Sequence, residues 1–238
     1  MTDNYAWCLD YLNREKIDII AEIGSRDGLD SIFLGNYFNA SNNYIFEADP
    51  SLKSLIEKNF QNSSLDSEHH IFNLALSDEQ KIGKFKAVNK EKYENHGIGS
   101  FFDINFDNRD SSDVDFQRES VQKEIDIEIQ RYDKLNLKTP DLIAMDVQGA
   151  ELKVLKGFGK DISNTYAIIL ETCISENYIG GSKLLEIYNF LKKDFKLIKN
   201  SRNDSNFKLL LEAYKYKFLS ASKYIPDINL LFINKKLS

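Results

Sequence analysis

The chain has 238 residues, 42% hydrophobic and 29% charged, which is enough for one large α/β domain with a full core. Its formal net charge of −6 argues against a generic nucleic-acid surface, which should be basic. No uninterrupted apolar run approaches the roughly 20 residues of a membrane span, and residues 1–16 lack the basic and apolar regions of a signal peptide. Cys8 and Cys173 lie far apart without metal spacing, as expected for reduced thiols of a cytoplasmic protein. Two cysteines and three histidines also argue against a structural zinc site.

In residues 1–16 a short helix is expected over 4–15, with Tyr5, Trp7, Leu9 and Leu12 partly buried. It would either pack on the core, the plainer role, or cap a ligand pocket. Ile17 to Ile23 is a short β-branched run broken only by Asp18 and Glu22, which predicts a buried strand. The run leads into Glu22-x-Gly24-x-x-x-Gly28, after which Leu29, Ile32 and Phe33 recur at helical spacing. Gly24 permits a tight turn of positive φ and lets a ligand approach the backbone. Glu22 stands at the strand's carboxyl end, where ligands bind in open α/β sheets. A carboxylate there suits a cationic group better than a pyrophosphate, and the dinucleotide pattern G-x-G-x-x-G is absent. An ordinary βα turn without a ligand is the plain alternative.

Tyr44 to Phe46 reads as a second strand with Glu47 at its end, and Pro50 suits the first turn of a helix running to about Phe60. An acid about 20 residues beyond the glycine turn can accept from both ribose hydroxyls, and Glu47 is the candidate. Asp49 is expected to cap the helix. His70 to Asp78 reads as a third strand and its exit loop, with Ala75 and Leu76 placed to wall an adenine and Ser77 or Asp78 to take its exocyclic amine. His69 and His70 point to opposite faces, so they lack metal-ligand geometry. Lys81 to Val88 alternates weakly as an additional strand. Residues 89–122 form a polar insertion, a substrate loop by its composition, with an acidic run from Asp103 to Asp115. Two glycines and two aromatics surround Ser100, which marks a binding loop. His96 is a candidate base or substrate contact, although a lone loop histidine is more often neither.

Ile125 to Gln130 alternates strictly and predicts a strand with one apolar face, and Tyr132 to Leu137 predicts a short helix. Leu142 to Met145 is a buried strand ending at Asp146; Gly149 turns the chain, and a helix carries Leu152, Val154 and Leu155 to Gly157. Glu151 at the helix start is favoured by the dipole. Ala167 to Leu170 is another strand, with Glu171 at its end. Acids at this edge can cap turns, abstract a proton or bind a divalent cation. Tyr178-Ile-Gly-Gly181 is a turn able to hold substrate. A helix over Leu184 to Leu191 and closing strands at Phe195 to Lys199 and Ile228 to Ile233 complete the pattern. Between those strands lies a basic, aromatic segment, Phe207 to Tyr224. Its Lys208, Lys215, Lys217 and Lys223 read as a solvated face rather than a phosphate site.

Four segments occur in order: Glu22-x-Gly24-x-x-x-Gly28, Phe46-Glu47-x-x-Pro50, Ala75-Leu-Ser-Asp78, and Asp146-Val-Gln-Gly-Ala-Glu151 with Leu155-Lys-Gly157. Over residues 17–175 they resemble the FkbM family of S-adenosyl-L-methionine (SAM) dependent methyltransferases. The resemblance implies one domain, 1–238, with the Rossmann-like class I α/β fold: a mostly parallel seven-stranded sheet with helices on both faces and an antiparallel last strand. It implies methyl transfer to oxygen on a small-molecule sugar, free or nucleotide-linked, or on a natural-product hydroxyl. Glu22, Gly24, Ser25, Asp27, Gly28, Ser31, Glu47, Ala75, Leu76 and Ser100 are the candidate cofactor residues. Asp146 is the first candidate base, with Glu171 and His96 behind it. Asp146, Glu151 and Glu171 are candidate ligands for Mg²⁺ or Mn²⁺. Gln148 stands where many relatives carry Glu and is assigned no role. A nicotinamide oxidoreductase and a SAM-binding module without catalysis are the rival expectations.

Overall fold

A computed structural model describes residues 5–91, 97–106, 121–218 and 225–238. The chain runs β1 (Ile19–Ile23), α1 (Leu29–Phe38), β2 (Asn42–Phe46), α2 (Lys53–Gln61), β3 (Glu68–Phe72), β4 (Ala75–Leu76), β5 (Lys81–Val88) and β6 (Gln122–Gln130). It continues through β7 (Leu142–Met145), α3 (Glu151–Gly157), β8 (Ala167–Thr172), α4 (Leu184–Leu191), β9 (Phe195–Asn200), α5 (Asn206–Phe218) and β10 (Ile228–Asn234). Seven strands form the main sheet in the order β3-β2-β1-β7-β8-β10-β9. All its pairs are parallel except those of β10, which runs antiparallel to β8 and β9.

Burial explains why β1 and β7 read as near-continuous apolar runs: every residue of both strands is buried, as in a sheet covered on both faces. Alternation then sorts the side chains. Ile19, Ala21 and Ile23 pack with Val154, Leu155 and Leu184 under α3 and α4. Ile20 packs with Leu34 and Phe38 under α1, so Glu22 shares that face.

The amino-terminal segment departs from the expected helix over 4–15. Among its described residues it holds short 3₁₀ turns, Leu9–Tyr11 and Arg14–Lys16 among them, with Leu12 and Asn13 extended between these two. The Asn13 side chain accepts from Glu15 N, a local bond that competes with helix continuation. Cys8, Leu9 and Leu12 are nevertheless buried against the α1 face of the sheet. Tyr132–Lys134 is likewise a single 3₁₀ turn rather than a longer helix.

β5 and β6 do not join the main sheet. They pair antiparallel from Lys81↔Ile129 to Val88↔Gln122, and β4 adds to β6 in parallel, making a separate three-stranded sheet. The insertion is thus the connection of a long hairpin. Its described part is anchored through Ile98 and Ile104, which cluster with Val88, Val121 and Tyr178.

Candidate active site

The strand order reverses between β1 and β7, and a cleft opens at the carboxyl ends of the strands there, as doubly wound sheets require. Its empty volume is about 1060 Å³, including the open mouth. Gly24 sits at its base with φ +82°, and a Cβ there would stand 1.8 Å from the Asp146 carbonyl oxygen. The turn after β1 and the exit of β7 therefore touch, and only glycine fits between them. Gly24 N and Ser25 N both donate to Phe46 O, at 2.9 and 3.1 Å, which ties the turn to the end of β2.

Glu47 faces the cleft from that strand end. Its Oε2 accepts from Arg26 N at 2.8 Å and its Oε1 from Asp49 N at 2.7 Å. Burial raises the Glu47 carboxyl above the usual range, opposed by the bonds from Asp49 and Arg26. Asp49 accepts from Ser51 N at 2.9 Å, the expected cap. Glu22 also lines the cleft, is 5% exposed, and accepts from Ser31 N at 3.2 Å. Burial, then Asp30 and Asp27, push its carboxyl well up.

Ala75 and Leu76 line the cleft from β4, and Ser25 lines it beside Gly24. Other candidates lie elsewhere. Asp27 accepts from Leu29 N at the start of α1 and pairs with Arg26. Gly28 faces Ile56 and Phe60, so it serves helix packing. Ser31 reaches the site only through the bond from its backbone to Glu22. Ser100 turns away from the cleft: its Oγ donates to Gln148 O at 2.6 Å. Alternation in that extended stretch sends Gly97, Gly99 and Phe101 into the cleft and Ser100 to the other side. Ser77 and Asp78 do not line the cleft either; Asp78 pairs with Lys153 on the far side. His96 and Lys223 lie outside the described residues.

Asp146 enters the cleft from the end of β7. Gln148 holds it against Glu171: its Nε2 donates to Asp146 Oδ1 at 2.5 Å and lies 3.3 Å from Glu171 Oε2. Tyr178 Oη donates to Gln148 Oε1. Gln148 itself adopts φ 51°, a left-handed conformation costly for a non-glycine residue. Burial first and then Glu151 push the Asp146 carboxyl up; burial first and then Asp146 push Glu171 up.

Glu151 is 2% exposed and is taken up by the turn. Its Oε1 accepts from Gly149 N at 2.9 Å, and its Oε2 lies 2.9 Å from Ser182 Oγ. Among the described residues no group of three or more His, Cys, Asp or Glu side chains assembles as a metal site, so Asp146, Glu151 and Glu171 do not fit the expected Mg²⁺ or Mn²⁺ set. Both cysteines are free and buried, and no helix among the described residues is long and apolar enough to cross a membrane.

Sequence reasoning missed Gln148 as the hub of the acids and missed Asp30, Phe85 and Phe101 as cleft walls, while Tyr5 lines the cleft from the segment for which a pocket cap was the second expectation. Only the run of glycines and aromatics around Ser100 hinted at Phe101. The others reach the cleft through pairings with no local signature.

Fold and cleft together are those of a Rossmann-like doubly wound α/β domain. Residues 18–201 match the Methyltransferase FkbM domain, and the chain belongs to that family. No curated protein matches it. Among solved structures, the methyltransferase FkbM from Methylobacillus flagellatus KT is similar with a TM-score of 0.51 and 11% identity, covering 90% of this chain. This chain spans 44% of that protein's length. A Streptococcus pneumoniae protein provisionally assigned as a tRNA methyltransferase aligns with a TM-score of 0.50 and 9% identity, over 98% of this chain and 70% of its own. At such identities the likeness is one of fold. The family match sets aside the nicotinamide oxidoreductase, in keeping with the missing G-x-G-x-x-G.

Proposed function

We propose that this protein is a SAM-dependent O-methyltransferase acting on a hydroxyl of a sugar, free or nucleotide-linked, in the cytoplasm. The observation that carries it is the meeting of three elements in one cleft: the Gly24 turn, Glu47 at the end of β2, and Asp146 at the end of β7. The residues present fit the cofactor. Gly24 and Ser25 line the cleft on a turn that Phe46 O ties down, so backbone is exposed to a ligand there. Glu47, already held by two backbone donors, keeps lone pairs for the ribose hydroxyls. Ala75, Leu76 and Phe85 give an apolar wall of the kind an adenine ring needs. When bound, SAM supplies an electrophilic methyl on a sulfonium. The chain's own task is to orient the acceptor and take its proton. Asp146, raised toward neutrality by burial, is a stronger base than an exposed carboxylate, and Glu171 and Gln148 fix its direction. Most of the rate is expected from in-line positioning. No step is routed through a metal.

Calorimetric titration with S-adenosylhomocysteine, with NAD in parallel, tests the cofactor. Micromolar binding of the former alone supports the assignment, and tighter binding of NAD sinks it. Methyl transfer that survives Asp146→Ala and Glu171→Ala would remove the proposed base. A chain that binds S-adenosylhomocysteine but transfers no methyl to any sugar would be the non-catalytic binding module instead.

A further inference from the structure

The helix α5 lies outside the stretch that matches the family, residues 18–201. Its inner face is accounted for: Leu209 and Ala213 are buried in the main core, and Leu210 and Tyr216 pack against it. Its outer face is not. Phe207, Leu211 and Tyr214 are 78%, 44% and 43% exposed. They recur at i, i+4 and i+7, so they form one stripe, turned away from Leu209 and Ala213. Exposed lysines border that stripe, Lys208 and Lys215 on one flank and Lys217 on the other. Lys208 pairs with Asp204, and Glu212 takes Arg202. Lys215 and Lys217 have no ion pair among the described residues. A solvated face accounts for the lysines but not for the three large apolar side chains set between them.

Single exposed apolar side chains are ordinary, whereas a contiguous set marks a docking surface. The lysines decide what docks there. A second copy of the chain would bring the same cations face to face. An anionic lipid surface is complementary to both parts: apolar side chains enter the acyl boundary, and lysine stems lie along it while their ammonium groups reach the phosphates. On a chain of net charge −6 such attraction can come only from a local basic patch, and α5 carries one. We propose that α5 docks this protein peripherally on an anionic membrane surface, inserting Phe207, Leu211 and Tyr214 and setting Lys215 and Lys217 among the lipid phosphates. The helix has 13 residues, short of the roughly 20 needed to span a bilayer, so it lies in the plane of the interface.

Sedimentation with phosphatidylcholine vesicles, with and without phosphatidylglycerol, tests this at low and high salt. The wild type should bind the anionic vesicles, release them at high salt, and stay in solution with phosphatidylcholine alone. Phe207→Ser combined with Leu211→Ser should weaken binding by about 10- to 100-fold. Lys215→Glu combined with Lys217→Glu should weaken it by about tenfold or more. Ile82→Ser removes an isoleucine of β5 that is 70% exposed and should change binding by less than about twofold, being a lone apolar side chain. All the substituted side chains are exposed, and melting curves confirm folding. No binding of the wild type to anionic vesicles overturns the proposal, and so does an equal loss in Ile82→Ser. Gel filtration showing a dimer that Phe207→Ser with Leu211→Ser turns into a monomer also overturns it, because the stripe then belongs to a second copy. Methyl transfer is not the readout, so failure here leaves the proposed activity untouched.

Discussion

The two halves of the cleft are built differently. On the side of β1 and β2, the carboxylates are held by backbone. Glu47 accepts from Arg26 N and Asp49 N, and Glu22 from Ser31 N. On the side of β7 and β8, the acids are held by side chains. Gln148 bridges Asp146 and Glu171, Tyr178 fixes Gln148, and Ser100 ties down its carbonyl. Backbone donors come with the fold and stay in place, which suits a cofactor that never varies. Side-chain networks can be retuned one residue at a time, which suits the half to which the proposed function gives the acceptor and its proton.

That contrast can be broken. The largest effect is expected from Asp146→Asn: methyl transfer should fall by roughly 10²–10⁴-fold, while S-adenosylhomocysteine still binds. Single-turnover transfer of labelled methyl and calorimetry would read the two separately, and loss of both would show that the halves are not separable. Gly24→Ala should damage both at once, because the new Cβ meets the Asp146 carbonyl at 1.8 Å and the φ of +82° is strained. A cost of about 2–4 kcal/mol in urea unfolding is expected, with loss of ligand binding. Glu47→Ala should weaken S-adenosylhomocysteine by roughly 1–3 kcal/mol. Unchanged affinity would show that Glu47 does not hold the ribose.

A smaller effect sharpens the acid side. Burial pushes Glu151 up to about 7, against about 4.3 in an unfolded chain. Its folded value is the raised one. The stability it contributes is therefore present below about pH 4.3 and is lost as the pH rises through about 7. Unfolding free energy should fall between about pH 4 and 7, and Glu151→Gln should flatten that fall, gaining roughly 1–3 kcal/mol at pH 8. The slope should not vanish, because Glu22, Asp146 and Glu171 are raised with the same sign. The smallest change is Tyr178→Phe, expected to cost about 0.5–1.5 kcal/mol in thermal unfolding through the lost bond to Gln148.

Much of the fold was legible in the chain. Buried strands betray themselves by unbroken β-branched runs, and a strand end followed by glycine marks a turn; β1, β2, β7 and β8 with Glu22, Glu47, Asp146 and Glu171 at their ends all came from such local signals. The antiparallel β10 came from the family resemblance. What the sequence left open was decided by contacts distant along the chain. Ser100 pointed away from the cleft because its stretch runs extended beside Lys86. Glu151 is consumed by Gly149 N and by Ser182, 31 residues on, instead of facing a metal. Tyr5 reaches the cleft through Asp30 and Phe33, and Gln148 joins two acids that sit on different strands. Periodicity records which face of an element is apolar. Which polar atoms meet depends on strand order and packing, and no local pattern encodes it.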